Sequence, residues 1–418
     1  MNSVKLEIKD LGMRMLVLMK WILYSTIVGF IVGLVGVAVV KLINCATDFR
    51  TQNFWHIFLL PFVGLFIVFI YKMSGRENDS GTNTVLSAIK QQKTIQMRSA
   101  PLILIATILT NFAGGSSGRE GAALQFGGSL GATLGHTFKF SDKDKTIMIM
   151  CGMSAAFSAV FGLPLCAIIF PMEVVAIGIM HYSALVPCTV ASLVAHWVAL
   201  FLGCGPDKYD YVGIGQISVK GVALIVALAV LSAVVSIIFC FSLHRVQKLV
   251  EKYIPSQYLR VIVGGCAIIA LTLLFGTDYD GLGTDVIARA INEGECHPLA
   301  FILKIVFTLL TLCFGYKGGE IIPAFFVGAT FGCLFGNLCG FSPMLCAAIG
   351  MVCVFCGVTN CPLSSLFIAV ELFGFTDVEY FIIAVGIAYV ISGYFSLYSS
   401  QDIIYSKTEA TFINKKAK

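Results

Sequence analysis

The stretch Gly114-Gly115-Ser116-Ser117-Gly118-Arg119-Glu120-Gly121 places a charged, glycine-rich turn inside long apolar surroundings. A weaker copy follows at Gly318-Gly319-Glu320-Ile321-Ile322-Pro323. In a bilayer, a carboxylate and unpaired backbone groups are costly unless they line a cavity or face other protein groups. Both turns are therefore predicted to line a cavity inside a membrane-embedded protein.

The two turns are related by a constant offset. Four residues of the first segment recur 200 positions later: Gly118, Glu120, Phe126 and Gly128 match Gly318, Glu320, Phe326 and Gly328. A second pair of segments lies 198 positions apart, Pro164-Leu165 with Glu173 and Pro362-Leu363 with Glu371. Matching segments in the same order predict a duplicated membrane unit, with a binding site formed by equivalent elements of the two copies.

The composition indicates a polytopic membrane protein in the cell membrane. Of the 418 residues, 58% are hydrophobic and only 12% are charged, whereas soluble domains carry about 25% charged residues. The net charge of +5 is scattered over short loops and ends, which is typical of the positive-inside rule. The lipid bilayer is therefore an expected partner, and nucleic acid is not.

The fifteen cysteines lie mostly inside apolar runs, where thiols behave as small hydrophobic side chains. Cys353-x-x-Cys356 with Cys361 has a spacing seen in metal sites, but no histidine or carboxylate lies close by in the sequence. We therefore expect no metal site and no cofactor.

Apolar runs and polar breaks divide the chain into five parts. They are an N-terminal cytoplasmic segment (1–14), a first membrane repeat (15–202), a connection (203–218), a second membrane repeat (219–398) and a cytoplasmic tail (399–418). A polar loop is expected at 44–53, and a helix is expected to start after Ser141 as its N-cap. Many apolar pieces are short and interrupted by glycine, so the predicted class is an all-α multi-pass membrane protein with tilted, broken and re-entrant helices.

The glycine-rich turns offer hydrogen-bond donors to a small anion. An anion entering a bilayer loses its water and needs N–H and O–H donors without a full countercharge that would trap it. Helix N-termini supply free N–H groups and a partial positive charge, and glycines let the backbone approach closely. Both turns immediately precede an expected helix start, and Ser80-Gly81-Thr82 offers a third set of donors.

Glu120 and Glu320 would compete with an anion for these donors, because a carboxylate at a helix N-terminus is stabilised there. Protonating Glu120 or moving it away would free the site, so Glu120 is a candidate gate and proton carrier. Simple helix capping is the structural alternative, and it has more weight for Glu320. Arg119 could attract anions at the mouth or form an ordinary ion pair in the loop.

Other polar residues inside apolar runs are interpreted structurally. Glu173 and Glu371 are expected to hold helix ends together by hydrogen bonds. Lys304 is expected to extend its amine towards the interface, and His196 to be a hydrogen-bonded core histidine. Tyr398 is a candidate hydroxyl donor at the inner end of a pathway, although an aromatic residue near a membrane boundary is usually an interface anchor.

Three of these segments together resemble the signatures of the CLC family of chloride channels and proton-coupled exchangers. They are Gly118-Arg119-Glu120-Gly121, Gly319-x-x-x-Pro323 and Tyr398, and the resemblance runs from about residue 20 to about residue 405. It implies an inverted-repeat helical fold, a homodimer with one pathway per subunit, and Glu120 as the external gate. It also implies that the backbone N–H groups of Glu320 and Ile321 bind the central anion and that Tyr398 supplies the inner hydroxyl. The expected anion-binding residues are Ser80, Gly81, Thr82, Gly118, Arg119, Gly121, Gly319, Glu320, Ile321 and Tyr398.

The chain departs from the family pattern in three places. The first anion motif, Gly-Ser-Gly-Ile-Pro in the family, reads Asp79-Ser80-Gly81-Thr82-Asn83, so either Ser80 or Thr82 could coordinate. Ala122 replaces a common proline after the gate motif. The inner proton glutamate of the exchangers aligns with Val174; its loss is found in passive channels and in the fluoride-exporting branch, to which an acid at Glu320 is also similar.

The predicted function is therefore that of a CLC-type channel or transporter for chloride or fluoride, with Glu120 as gate and candidate proton carrier. A proton-coupled fluoride antiporter of the same family is the alternative. An intramembrane enzyme using Glu120 and Glu320 as an acid/base pair is disfavoured, because no serine–histidine or metal-ligand cluster has active-site spacing. A cation-coupled solute transporter could also be built from a duplicated membrane unit and is the third possibility.

Overall fold

The structure, a computed structural model, describes residues 2–77, 79–91, 95–206 and 209–418. These residues form sixteen α-helices. The first eight are α1 (Asn2–Gln52), α2 (Leu60–Met73), α3 (Thr82–Gln91), α4 (Ser99–Phe112), α5 (Glu120–Thr137), α6 (Asp142–Phe161), α7 (Pro164–Glu173) and α8 (Leu185–Phe201). The second eight are α9 (Val219–Tyr253), α10 (Gln257–Phe275), α11 (Thr284–Asn292), α12 (Ala300–Leu312), α13 (Ile321–Cys339), α14 (Pro343–Thr359), α15 (Pro362–Phe373) and α16 (Val378–Ile391). Short 3-10 helices lie at Phe54–Leu59 and Tyr182–Ala184.

Seven helical stretches of the described residues are long and apolar enough to cross a membrane, and the remaining apolar helices are shorter. Large apolar side chains cover the outer surface, for example Phe201, which is 90% exposed, and Leu338, which is 78% exposed. In water such a surface would promote aggregation, but it suits contact with lipid. The mixture of long and short helices agrees with the predicted tilted and re-entrant elements.

Basic residues concentrate at one end of the helices. Lys20, near the start of α1, forms an ion pair of 2.7 Å with Asp144 in the lysine-rich start of α6. The Lys72 amine at the end of α2 lies 5.8 Å from the ring centroid of Tyr258 at the start of α10. The 276–299 segment, at the opposite end, contains only one basic residue apart from histidine, Arg289. The positive-inside rule therefore predicts that the start of α1 lies on the cytoplasmic side.

The two sets of eight helices run in opposite directions across the membrane. The backbone N–H of Gly281 donates to the carbonyl of Gly114, just after the end of α4, over 3.3 Å. Lys304, in the first turns of α12, donates to the Gly281 carbonyl over 2.8 Å. The start of α12 therefore lies at the same end as the end of its counterpart α4. This is the inverted repeat that the sequence resemblance implies.

Equivalent helix pairs pack closely in both repeats. A Cβ atom on Gly152 of α6 would overlap the Gly127 carbonyl of α5, and one on Gly350 of α14 would overlap the Gly328 carbonyl of α13. Small residues at such crossings let membrane helices approach until their backbones touch. The glycines thus set the distance between each helix that starts at a glycine-rich turn and its neighbour.

Glu173 and Glu371 join the two repeats, as predicted. The Glu371 carboxylate accepts hydrogen bonds from the backbone N–H groups of Leu165 (2.6 Å) and Cys166 (2.9 Å) at the start of α7. The Glu173 carboxylate accepts from the N–H groups of Leu363 (3.0 Å) and Ser364 (2.9 Å) at the start of α15. Each acid therefore caps a helix of the other repeat. The positive end of the helix dipole also stabilises its negative charge there.

Replacing Glu371 by Gln is expected to destabilise the fold by about 1–3 kcal/mol, because an amide can accept only one of the two N–H bonds with its oxygen. The thermal midpoint of the purified protein in detergent should fall by several degrees. Glu379→Gln, at an exposed position in the first turn of α16, is the control and should leave the midpoint nearly unchanged. Equal midpoints for both variants would contradict the capping role.

Three local expectations change in the structure. The loop predicted at 44–53 is wrong, since α1 continues to Gln52; no glycine or proline interrupts residues 37–52, so polar side chains alone do not end the helix. Lys304 does not reach the interface but is fully buried, donating to the carbonyls of Tyr279 and Gly281. His196 is half-buried, and its Nδ1 has no hydrogen-bond partner among the described residues. The predicted N-cap is confirmed, because the Ser141 hydroxyl accepts from the Asp144 N–H.

The tail contributes a small sheet that an all-α prediction does not contain. β1 (Ala176–Ile177) pairs in parallel with β2 (Asp402–Tyr405), and β2 pairs antiparallel with β3 (Phe412–Lys416). The tail therefore packs against the loop after α7 instead of extending into solvent. The 203–218 connection is also anchored, because Asp377 accepts bonds from Tyr211, Ile214 and Gly215.

Candidate functional site

The two glycine-rich turns meet in the middle of the molecule. The N–H of Gly118 donates to the carbonyl of Gly319 over 2.8 Å, and the N–H of Gly319 donates to the carbonyl of Gly118 over 2.9 Å. This pair of bonds is an isolated antiparallel bridge between segments about 200 residues apart in the chain. The helices that follow, α5 and α13, therefore begin side by side and run away from the bridge.

The Glu120 carboxylate lies at the start of the opposing helix. Glu120 is fully buried and is the first residue of α5. Its Oε1 accepts hydrogen bonds from the backbone N–H groups of Ile321 and Ile322, the latter over 3.1 Å. These two N–H groups belong to the first turn of α13, where no carbonyl of the same helix is available to them. The carboxylate therefore occupies the kind of site at which a helix N-terminus binds an anion.

Gly118 and Gly319 make room for this carboxylate. A Cβ atom built on either glycine would overlap the Glu120 carboxylate, and one on Gly319 would also lie 2.6 Å from the Gly121 nitrogen. Gly121 is close to the bridge as well, since its Cβ would lie 3.0 Å from the Gly319 Cα. Three of the expected site glycines are thus required by the close approach of the two turns around one acidic group.

Only half of the Glu120 carboxylate is hydrogen-bonded. Its Oε2 is buried and has no hydrogen-bond partner among the described residues, and the same is true of the nearby Ser117 hydroxyl. Burying a charge without full compensation is costly. The ionised group is therefore held less firmly than Glu173 or Glu371, both of whose oxygens accept bonds.

The first turn is anchored to the second repeat on its other side. The Ser116 N–H donates to the Thr311 hydroxyl over 2.9 Å, and the Ser116 and Thr308 hydroxyls lie 3.3 Å apart. Arg119 is only 5% exposed, and its guanidinium carbon lies 5.9 Å from the centroid of the Phe161 ring. Arg119 therefore lies inside the protein, and its role in attracting anions stays a prediction.

A vestibule of about 620 Å³ leads to this site, and its lining includes Tyr71 near the end of α2 and Gln257 at the start of α10. Glu320 and Gly318 line its inner part, and Glu320 is the N-cap residue of α13. The donors that hold the Glu120 carboxylate are the N–H groups of Ile321 and Ile322, whereas the sequence singled out those of Glu320 and Ile321 for the anion. Ile322 was thus missed, although a helix leaves several N–H groups free in its first turn.

The Ser80-Gly81-Thr82 stretch borders the same vestibule, and one of its donors, the Gly81 N–H, already serves a carboxylate. Asp79 accepts hydrogen bonds from the Gly81 N–H (3.1 Å), the Thr84 hydroxyl (3.1 Å) and the Gln125 amide (2.7 Å). Of the two candidates, Ser80 is exposed and lines the vestibule, while Thr82 is 7% exposed. This geometry favours Ser80 over Thr82 as the residue that can meet an ion.

Lys317 is a vestibule residue that the sequence did not single out. Its amine lies 3.5 Å from the carbonyl oxygen of Asp79 and 4.9 Å from the centroid of the Tyr71 ring. It is half-buried and lies three residues before Glu320. The available signal in the sequence is a lysine directly before the Gly318-Gly319 pair.

Tyr398 is buried, with 2% of its surface exposed, and lies between Leu397 and Ser399, which both line the vestibule. It lies in the segment between α16 and β2, where its N–H donates to the Ser396 hydroxyl. Val174, at the position of the exchangers' inner glutamate, is buried and apolar. The neighbouring Glu173 is committed to the start of α15.

Comparison with known proteins agrees with this geometry. The family model described as voltage gated chloride channel matches residues 63–393. A "Chloride/fluoride channel protein" of Pseudomonas syringae is 33% identical over 396 residues, covering 93% of this chain and 87% of the relative. The "H(+)/Cl(-) exchange transporter ClcA" of Vibrio cholerae is 24% identical over 387 residues, covering 83% of this chain and 81% of the relative. A crystal structure of "a CLC-type fluoride/proton antiporter" superposes with a TM-score of 0.89 at 28% identity, covering 92% of this chain and 98% of that one.

The family model covers well over half of the chain. The inverted repeat, the paired glycine-rich turns and the buried glutamate at a helix N-terminus are features of a membrane ion pathway and not of an enzyme's active site. The enzyme alternative is therefore excluded, and the chain belongs to the voltage gated chloride channel (CLC) family of multi-pass membrane proteins that transport halide anions.

Proposed function

We propose that the protein is a proton-coupled halide antiporter in which the Glu120 carboxylate and the transported anion compete for one site. The observation that carries this proposal is the position of the carboxylate on the N–H groups of Ile321 and Ile322. Those donors suit any small anion, and a carboxylate held there blocks the way. A group that both fills an anion site and can take a proton couples the two ions directly.

The coupling follows from the chemistry of the carboxylate. An ionised Glu120 is a strong hydrogen-bond acceptor, because bonds to a charged group are roughly twice as strong as neutral ones. Protonation removes that charge, so a halide can displace the side chain from the α13 N-terminus. When the anion leaves, the side chain loses its proton and returns. We propose that Gly118, Arg119, Gly121 and Gly319 surround the exchange and that Tyr398 supplies a hydroxyl at its inner end.

We propose fluoride as the preferred halide. Support comes from the names of similar proteins, a chloride/fluoride channel protein and a fluoride/proton antiporter, and from the acid at Glu320. Fluoride has the highest charge density of the halides and therefore needs the strongest donors in exchange for its water. The anion would reach the site through the vestibule, passing Lys317, Ser80 and Gly81.

A passive halide channel is the second candidate. Its support is Val174, which is buried and apolar where the exchangers carry their inner proton glutamate. Without that acid, protons need another way from the cytoplasm to Glu120, with Glu320 the nearest acid on the vestibule side.

We also propose a homodimer with one pathway per subunit, which the mass of the detergent-solubilised particle would test.

The decisive measurement is the reversal potential of the halide current across a pH gradient in reconstituted vesicles. For an antiporter the potential shifts with the pH gradient, and fluoride is transported faster than chloride. A halide current that ignores pH would favour the channel. Halide efflux no higher than that of protein-free vesicles would overturn both candidates. Adding Na⁺ and amino acids should leave the halide flux unchanged.

A further inference from the structure

The segment that carries Tyr398 has no regular secondary structure to hold it. Residues 392–401 form turns between α16 and β2. Backbone bonds tie the segment to α14 and to the end of the chain: the Leu397 N–H donates to the Val358 carbonyl (2.9 Å), the Ser396 N–H to the Lys418 carbonyl (3.2 Å) and the Lys418 N–H to the Tyr394 carbonyl (2.9 Å). Side chains of other elements hold the segment as well: His244 Nε2 lies 2.8 Å from the Ser396 carbonyl oxygen, and the Asn83 side-chain oxygen accepts from the Ser400 N–H over 2.9 Å.

Two buried amides add to this support and connect the segment to the end of α14. The Gln401 amide nitrogen donates to the carbonyls of Val174 and Thr359, both over 2.9 Å. The Asn360 amide nitrogen donates to the Phe395 carbonyl (2.9 Å) and to the Gln401 side-chain oxygen (3.0 Å). Every amide hydrogen of the pair thus has an acceptor. Asn360 ends α14 in the left-handed conformation, with φ of 60°, so the network fixes this helix end against the Tyr398 segment.

Lys407, beyond β2, completes the network. Its amine donates to the Asn360 side-chain oxygen over 2.5 Å, to the Tyr389 carbonyl over 2.8 Å and to the Ser392 hydroxyl over 3.1 Å. An ammonium group has three N–H donors, and all three are used. Asn360 and Gln401 are 2% and 0% exposed. Removing the lysine would leave a buried amide oxygen without its donor, and such groups are costly.

Attachment of the tail does not by itself require this lysine. The tail is already held by the pairing of β2 with β1 and β3. The Lys90–Asp402 ion pair of 2.7 Å adds a second anchor. Among the described residues, the Lys407 amine instead contacts groups at the ends of α14 and α16: Asn360, Tyr389 and Ser392.

We propose that Lys407 is a positioning residue that sets the place of Tyr398 in the ion pathway, acting through Asn360 and Gln401. The inference rests on the proposed function, because Tyr398 acts on the anion only if the protein transports one. A lysine in the tail thereby controls how the inner end of the pathway presents its hydroxyl to the ion.

The test is a double-mutant cycle with Lys407→Met and Tyr398→Phe in reconstituted vesicles. Lys407→Met alone should slow halide flux by roughly five- to tenfold and shift the fluoride-to-chloride flux ratio in the same direction as Tyr398→Phe. Added to Tyr398→Phe, it should cause little further change, because coupled residues are not additive. Lys415→Met, at an exposed position on β3, is the matched control and should behave as wild type.

Independent, multiplying effects of the two substitutions on flux and an unchanged flux ratio would overturn the proposal, since Lys407 would then act only on stability. Should Lys407→Met not fold, Ser392→Ala removes one of the three acceptors and should give the same coupling in weaker form. Hydrogen exchange of the 396–401 amides separates this proposal from the proposed function. Faster exchange in Lys407→Met than in Lys415→Met is expected even if the wild-type protein moves no halide, and equal rates would refute the positioning role.

Discussion

Replacing Glu120 by Gln is expected to abolish proton movement while halide flux continues. The amide has nearly the same shape as the acid, and its oxygen can still accept from the Ile321 and Ile322 N–H groups. It cannot take up or release a proton. Because a neutral acceptor binds these donors about half as strongly as a carboxylate, a halide displaces it more easily, and the flux becomes independent of pH.

The measurement is proton uptake driven by a halide gradient in reconstituted vesicles, with halide flux recorded in the same preparation. Proton uptake should fall to the level of protein-free vesicles. Glu379→Gln, which changes an exposed acid in the first turn of α16, should leave both fluxes intact. Proton uptake that persists unchanged in Glu120→Gln would remove Glu120 from the proton route.

Replacing Gly319 by Ala is expected to reduce halide flux by about 100-fold, the scale on which loss of a single hydrogen-bond donor matters in a preorganised oxyanion site. The added methyl would overlap the Glu120 carboxylate and crowd the Gly121 nitrogen at 2.6 Å. The bridge between the two turns must then open, and the N–H groups of Ile321 and Ile322 lose their common direction. The site would then bind a halide as poorly as it binds the Glu120 carboxylate.

Gly386→Ala is the control for this variant. Gly386 lies in α16, and a Cβ built there would meet no described atom within 4 Å. The same methyl at this position should leave flux and thermal midpoint unchanged. Partial recovery of flux in Glu120→Ala/Gly319→Ala would show that the methyl acts by clashing with the carboxylate, while full activity of Gly319→Ala alone would refute the close-approach argument.

Several features of the fold could be predicted from local sequence. The Ser141 cap depends on one hydroxyl and an N–H three residues later, and such a contact needs no knowledge of the rest of the chain. The exchange of carboxylates between repeats was also predictable, because Glu173 and Glu371 are equivalent positions in a duplicated unit. Lys304 could not be predicted in this way, since its acceptors lie more than twenty residues away, in a loop of undetermined position.

The sequence by itself determined that the chain is a duplicated membrane protein with a glycine-rich acidic turn in each half, because composition and repeat spacing are properties of the chain alone. The tertiary structure decided which donors the acid uses. Glu120 accepts hydrogen bonds from the N–H groups of Ile321 and Ile322, about 200 positions away in the sequence. Lys407 donates a hydrogen bond to Asn360, 47 positions away. Such partners are selected by how the two repeats pack, since a buried polar group takes whichever donor the fold brings within hydrogen-bond distance.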